Sequence, residues 1–277
     1  MPSSRTVGEI NSATEWTRVL QGIEVVIHCA ARAHVMHEHS TDPRALYRAV
    51  NVDGTRRLAE EAVRCGVHRL VFLSSVKAVG ERSVPGRPLG VLDEPRPEDD
   101  YGRSKYEAEL ALKEVSASTG LEVVIVRPPL VYGPGVKGNF LRLLGLVARG
   151  FPLPFGSIDN ARSMVSLANL VDFLSVCVES PAAAGKTFFV SDGDDLSTPD
   201  LIRKVALSMN RRARLVPVPV AMLNGMAGLV GKSAEIERLT GTLQVDINPN
   251  RDLLGWSPRF SVEGGLRETA DWFLHRS

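Results

Sequence analysis

Tyr101 and Lys105, in the run Tyr101-Gly102-Arg103-Ser104-Lys105, lie four residues apart, and Ser74-Ser75 closes an apolar run upstream of them. On a helix, residues at i and i+4 share a face, so the ammonium can favour the phenolate form of the phenol beside it. Such a tyrosine could pass a proton to or from an alcohol or sugar oxygen near neutral pH, which an unperturbed phenol of pKa about 10 does poorly. A hydroxyl from Ser75 would hold that same oxygen. Tyr-x-x-x-Lys alone also describes an ordinary surface helix pair, so its meaning depends on the elements that position it.

Those elements alternate. Glu24-Val25-Val26-Ile27 reads as a buried strand, residues 45–65 as a helix ended by Gly66, and Arg69-Leu70-Val71-Phe72-Leu73 as the next strand. Residues 82–99 are rich in Pro and Gly and read as a loop. Residues 101–118 form a helix closed by Gly120, and Glu122-Val123-Val124-Ile125-Val126 is another apolar strand. This βαβ alternation predicts an α/β fold, a parallel sheet covered by helices on both faces. Beyond Arg127 the pattern loosens, with helices over residues 139–149, 166–178 and 199–209 and a strand at Thr187-Phe188-Phe189-Val190.

The 277 residues, 44% of them hydrophobic, suffice for one large or two modest domains. A net charge of +1 with both signs mixed gives no case for a nucleic-acid partner. Cys29, Cys65 and Cys177, widely spaced and odd in number, read as reduced thiols of a cytoplasmic protein. Cys29 is expected to be a packed thiol rather than a nucleophile. Residues 216–230, the most apolar late stretch, are too short and too broken by Pro and Gly to span a bilayer, so no membrane partner is expected. His34, His37 and His39 lack accompanying ligands and read as a solvated loop, with no metal expected.

Six pieces in order then resemble the extended short-chain dehydrogenase/reductases of the NAD-dependent epimerase/dehydratase family. They are Val25 to Ala31, Asn51-Val52-Asp53-Gly54-Thr55, Leu73-Ser74-Ser75 with Gly80, Tyr101 to Lys105, Arg127 to Pro134, and Leu254-Gly255-Trp256. The resemblance implies a Rossmann-like doubly wound sheet, residues 1–130, to which the strand and helix near residues 164–191 return. It also implies a smaller α+β substrate domain, mainly residues 131–277. It gives Tyr101 the acid/base role, Lys105 the nicotinamide ribose and the lowering of the tyrosine pKa, and Ser75 the reacting oxygen. Glu9, Ile10, Ala30, Ala31, Asn51, Ser74, Tyr101, Lys105 and Pro128 match positions around NAD or NADP, and Ser75, Asn139 and Arg162 positions around a nucleotide sugar. The implied activity is at sugar C4. A UDP-sugar 4-epimerase of the UDP-glucose or UDP-N-acetylglucosamine type, serving surface polysaccharide synthesis, leads; a nucleotide-4-keto-sugar reductase is the alternative, and a catalytically dead NAD(P)-sensing or scaffold protein an alternative of another class. A homodimer pairing the helices at residues 52–64 and 101–118 is implied as well.

The family opens with a strand, a glycine-rich turn and a helix before its acidic-aliphatic pair, whereas here that pair arrives at Glu9-Ile10. A first βαβ unit is therefore expected to be missing, by an incomplete gene model, a real truncation or a shortened non-catalytic variant. A marginally stable sheet with weak cofactor binding is expected in consequence, with the strands at residues 24–27 and 69–73 left with unmatched edges or an exposed face. Gly133-Pro134-Gly135-Val136-Lys137-Gly138 spells Gly-x-Gly-x-x-Gly. It is set aside as a dinucleotide fingerprint because the preceding strand is expected to end near Val126, too far upstream for the tight turn.

Overall fold

A computed structural model of the chain describes residues 5–33, 42–229 and 233–276. After a short helix α1 (Thr17–Leu20), β1 (Val25–His28) leads to α2 (Pro43–Arg48). A π-turn over Ala49–Asp53 joins α2 to α3 (Gly54–Arg64). Then come β2 (Arg69–Leu73), the long α4 (Asp100–Thr119) and β3 (Glu122–Arg127). The anticipated helix after β1 is thus three helical segments in series. Gly66 and Gly120 end the helices as expected, with φ of 81° and 79°, where a side chain would be strained.

β1, β2, β3 and β6 (Thr187–Phe189) form one sheet in that spatial order, every pair parallel. Alternation along the central strands sends Leu70, Phe72, Val123 and Ile125 to one face, where Leu58, Ala59 and Ala62 of α3 and Ala108, Leu112 and Val115 of α4 cover them. Val71, Val124 and Val126 point the other way, onto Leu170, Phe173, Leu174 and Cys177 of α6 (Leu167–Glu179) and onto Trp256. One sequence-based expectation is corrected here. Residues 69–73 have partners on both sides, and of the two strands in that expectation β1 alone has an unpaired edge, with Ile27 45% exposed beside it.

Two strands were not anticipated. β4 (Leu130–Tyr132) and β5 (Met164–Ser166) pair in parallel as a second, two-stranded sheet. At three residues each they are too short for an alternation pattern to register. α5 (Gly138–Ala148), α7 (Thr198–Ser208) and α11 (Val262–His275) pack around them, joining Phe140, Leu144, Ile202, Val205 and Leu266 with Tyr132 and Met164 in a second core. The outer helices are α8 (Val220–Leu229), α9 (Ser233–Thr240) and α10 (Asn248–Leu254). Asp192 ties the halves together: it accepts the Tyr132 hydroxyl at 2.6 Å, the Ser166 amide at 2.9 Å and the Asn169 side-chain amide at 2.7 Å, all of them buried.

Candidate active site

The C-terminal ends of β1, β2 and β3 converge, and ligand crevices of open parallel sheets lie at such ends. Ser75 follows β2 directly and starts a short 3-10 turn, Val76–Ala78, where its hydroxyl accepts the Lys77 amide at 3.2 Å. Tyr101 stands in the first turn of α4. Asp99 caps that helix, accepting the Gly102 amide at 2.7 Å, and its other oxygen takes the Lys77 ammonium at 2.6 Å. A Cβ on Gly102 would lie 2.4 Å from the Lys77 carbonyl oxygen, so the turn carrying Ser75 can press against the start of α4 only because residue 102 is glycine. This contact sets the Ser75 hydroxyl beside Tyr101, where it favours the phenolate.

The electrostatics depart from the expected pattern. Burial pushes the Tyr101 phenol up to about 12, opposed by the Ser75 hydrogen bond and reinforced by the Asp99 carboxylate and by Tyr47, whose ring meets it edge-on at 6.3 Å. Lys105 is not among the groups that shift the phenol in this arrangement. Its ammonium turns from the phenol to the Leu73 carbonyl at 2.7 Å and rests 4.4 Å from the centre of the Phe72 ring. Burial brings the Lys105 pKa down to about 8, and the structure gives its two remaining N–H bonds no partner among the described residues.

The other anticipated residues fall into three groups. Asn51, buried in the π-turn, accepts the Arg32 amide at 2.8 Å and donates to the Arg32 carbonyl and to Ser104 at 3.1 and 2.9 Å. It thereby straps the loop carrying Ala30 and Ala31 against α4. Pro128 is buried and accepts the Val76 amide at 2.9 Å, fixing the turn after Ser75. Ile10 packs on Gly54, and Glu9 is exposed.

Ser74 does something else. Its hydroxyl donates to Glu109 at 2.5 Å, and Glu109 in turn holds Arg127 through bonds of 2.9 and 2.5 Å, with both ionic side chains almost wholly buried. The side chain of Ser74 therefore fixes α4 to the ends of β2 and β3, its proton committed to Glu109. Asn139 is exposed in the first turn of α5, where Lys137 takes the capping position. Arg162 spends one guanidinium nitrogen on the Arg238 and Gly241 carbonyls, at 2.7 and 2.9 Å. Neither Asn139 nor Arg162 is drawn to Tyr101 by a described contact.

Two other expectations change. Cys29 is exposed rather than packed, with burial of its sulfur still raising the thiol pKa. Gly133 does follow a strand directly, since β4 ends at Tyr132, so the stated ground for rejecting the Gly-x-Gly-x-x-Gly run fails. The rejection stands on another ground: β4 belongs to the second sheet, and Gly133 is needed because a Cβ there would lie 2.7 Å from that of Leu167. His34, His37 and His39 lie outside the described residues, and among those described no cluster of His, Cys, Asp or Glu could hold a metal. Sequence reasoning missed Asp99 and Glu109. The first was readable as an acidic residue just ahead of a helix, whereas nothing in the local pattern marks the second.

A nicotinamide cofactor fits this crevice in part. The free N–H bonds of the buried Lys105 suit ribose hydroxyls, and the exposed Cys29-Ala30 end of β1 leaves room beside them. Among the described residues no strand of the larger sheet runs straight into a glycine-rich turn, so the fit is to the nicotinamide end rather than to the pyrophosphate.

Residues 4–190 match the NAD dependent epimerase/dehydratase family. A UDP-glucose 4-epimerase of Vibrio cholerae is 47% identical over 97% of this chain and 82% of its own length. An Escherichia coli O157:H7 protein, N-acetyl-alpha-D-glucosaminyl-diphospho-ditrans,octacis-undecaprenol 4-epimerase, is 28% identical over 99% of this chain and 85% of its own. Among solved structures, MoeE5 in complex with UDP-glucuronic acid and NAD superposes with a TM-score of 0.77 at 23% identity, covering 98% of this chain and 85% of that one. This last likeness is one of fold.

Proposed function

This chain belongs to the NAD dependent epimerase/dehydratase family, and from that membership we propose that it inverts C4 of a UDP-sugar of the UDP-glucose or UDP-N-acetylglucosamine type. It is an NAD(P)-dependent nucleotide-sugar enzyme acting near sugar C4. The observation that carries the finer reading is the contact of Tyr101 with Ser75 at the strand ends, with Lys105 one turn along the same helix. Bound NAD(P) supplies the acceptor and donor of hydride at C4. Tyr101 takes the proton of the O4 hydroxyl and returns it once the sugar has presented its other face. Ser75 hydrogen-bonds O4 throughout, and Lys105 leaves the Leu73 carbonyl to share its donors with the ribose and steady the phenolate. Asn51 holds Ala30 and Ala31 along the cofactor crevice. Asn139 and Arg162, reoriented, would meet the diphosphate. A homodimer through the outer faces of α3 and α4 and a cytoplasmic location belong to the same reading.

The test is interconversion of UDP-glucose and UDP-galactose, and of their N-acetyl counterparts, with added NAD. We expect interconversion without net change in nicotinamide absorbance, and a loss of about 10² to 10⁴ in turnover for Tyr101→Phe with an unchanged thermal melt. Near wild-type turnover in that variant would remove Tyr101 from the chemistry. Stoichiometric consumption of reduced cofactor on a 4-keto sugar, with no interconversion, would replace the epimerase by a ketoreductase, and inactivity in both assays would favour the sensing or scaffold role.

A further inference from the structure

α8 reads Val-Ala-Met-Leu-Asn-Gly-Met-Ala-Gly-Leu, without one charge. A helix apolar on all sides normally lies buried. Here Leu223 alone of the described side chains is buried, while Met222 is 58% and Met226 45% exposed. More exposed apolar surface adjoins it. Backbone bonds from Leu153 to the Arg214 carbonyl, 2.7 Å, and from Val216 to the Leu153 carbonyl, 2.8 Å, lay the segment that follows Phe151 (52% exposed) parallel to residues 214–216, and Val216 (44% exposed) lies four residues ahead of α8.

Along residues 149–156, residues 211–218 and α8 themselves, the charge has one sign. Arg149, Arg211, Arg212 and Arg214 are exposed, and none makes an ion pair among the described residues. The sequence has no carboxylate between Glu122 and Asp159 or between Asp200 and Glu235, although the whole chain is nearly balanced at +1. We propose that residues 149–156, residues 211–218 and α8 form a docking face for an anionic lipid bilayer. The apolar side chains would enter the acyl boundary while the arginines meet lipid phosphates. A second copy of the chain would set arginine against arginine across an isologous contact. A nucleic acid would use the arginines and leave Phe151, Met222 and Met226 in water. The proposal does not depend on the epimerase reading. It departs from the expectation of no membrane partner; no helix among the described residues is long and apolar enough to cross a membrane, and surface docking needs none.

Flotation of the chain with vesicles tests the proposal. It is expected to float with vesicles of equal parts phosphatidylcholine and phosphatidylglycerol, not with phosphatidylcholine alone. Release is expected at ~1 M salt, where the Debye length is about 3 Å. Arg211→Gln with Arg212→Gln should weaken binding about 30-fold, and Met222→Ser with Met226→Ser should weaken it separately. Should the methionine variant misfold, the arginine pair, outside α8, still decides. No flotation with the anionic vesicles, or unchanged binding by the arginine variant, overturns the proposal. So does a concentration-dependent dimer that Phe151→Ser abolishes, or binding of duplex DNA without binding of vesicles.

Discussion

Glu109→Gln should strike both stability and site geometry. Glu109 is fully buried and Arg127 is 3% exposed, so neither charge has solvent to fall back on, and the carboxylate answers the guanidinium with both oxygens at 2.9 and 2.5 Å while also accepting from Ser74. The Arg127 Nη1 atom already has no hydrogen-bond partner. Removing the negative charge leaves a buried cation with one neutral amide oxygen and the face of Phe189, 5.7 Å away, to offset its desolvation. Breaking such a pair costs about 3 to 5 kcal/mol. With an unfolding entropy of about 2.1 cal/mol/K per residue, a chain this long has about 0.6 kcal/mol/K at its midpoint, so the melt should fall by about 5 to 9 °C. Calorimetry on wild type, Glu109→Gln and the paired Glu109→Leu with Arg127→Met checks it. The paired variant should recover most of the loss, since well-packed apolar groups replace a buried ion pair at little cost. A loss under about 1 kcal/mol for Glu109→Gln, or a paired variant as damaged as the sum of its single changes, would refute the claim that this pair locks α4 to the sheet.

His28 is held neutral. Burial, assisted by the Lys105 charge, brings its pKa down from 6.5 to about 4, while its ring stacks on Phe72 and meets the Thr55 hydroxyl at 3.0 Å. Between those values the unfolded chain binds more protons than the folded one, so this contribution is complete above pH 6.5 and is lost as pH falls towards 4. About 2 kcal/mol should disappear between pH 7 and pH 5 in urea midpoints, and His28→Gln should flatten that slope; an equal slope in the variant would exclude His28 as its source. Gly102→Ala must push the Lys77 carbonyl away from a Cβ at 2.4 Å. A destabilisation of about 1 to 3 kcal/mol is expected, with a still larger proportional loss of turnover than of stability, because Tyr101 moves with the helix start; a neutral melt and full turnover would show that the two turns are not pressed together.

Most of the larger sheet was legible in the sequence, because runs such as Arg69 to Leu73 and Glu122 to Val126 are buried on both faces and carry an unbroken apolar signal. The helix bearing Tyr101 and Lys105 was equally plain, with an acidic residue ahead of it and Gly120 behind. The second sheet was not: Leu130 to Tyr132 and Met164 to Ser166 owe their strand form to each other, a pairing across more than thirty residues that local composition does not encode. The spacing of Tyr101 and Lys105 fixed that they share a helix face, but only tertiary packing decided where each charge points. Lys105 lies beneath the Leu73 carbonyl and the Phe72 ring, and Tyr101 is buried against Ser75 and Asp99, so desolvation rather than mutual attraction governs the phenol in this state. Ser74 shows the same division. Its place beside Ser75 is written in the chain, whereas the turn of its hydroxyl towards Glu109 follows from a buried arginine on a neighbouring strand that had to be neutralised.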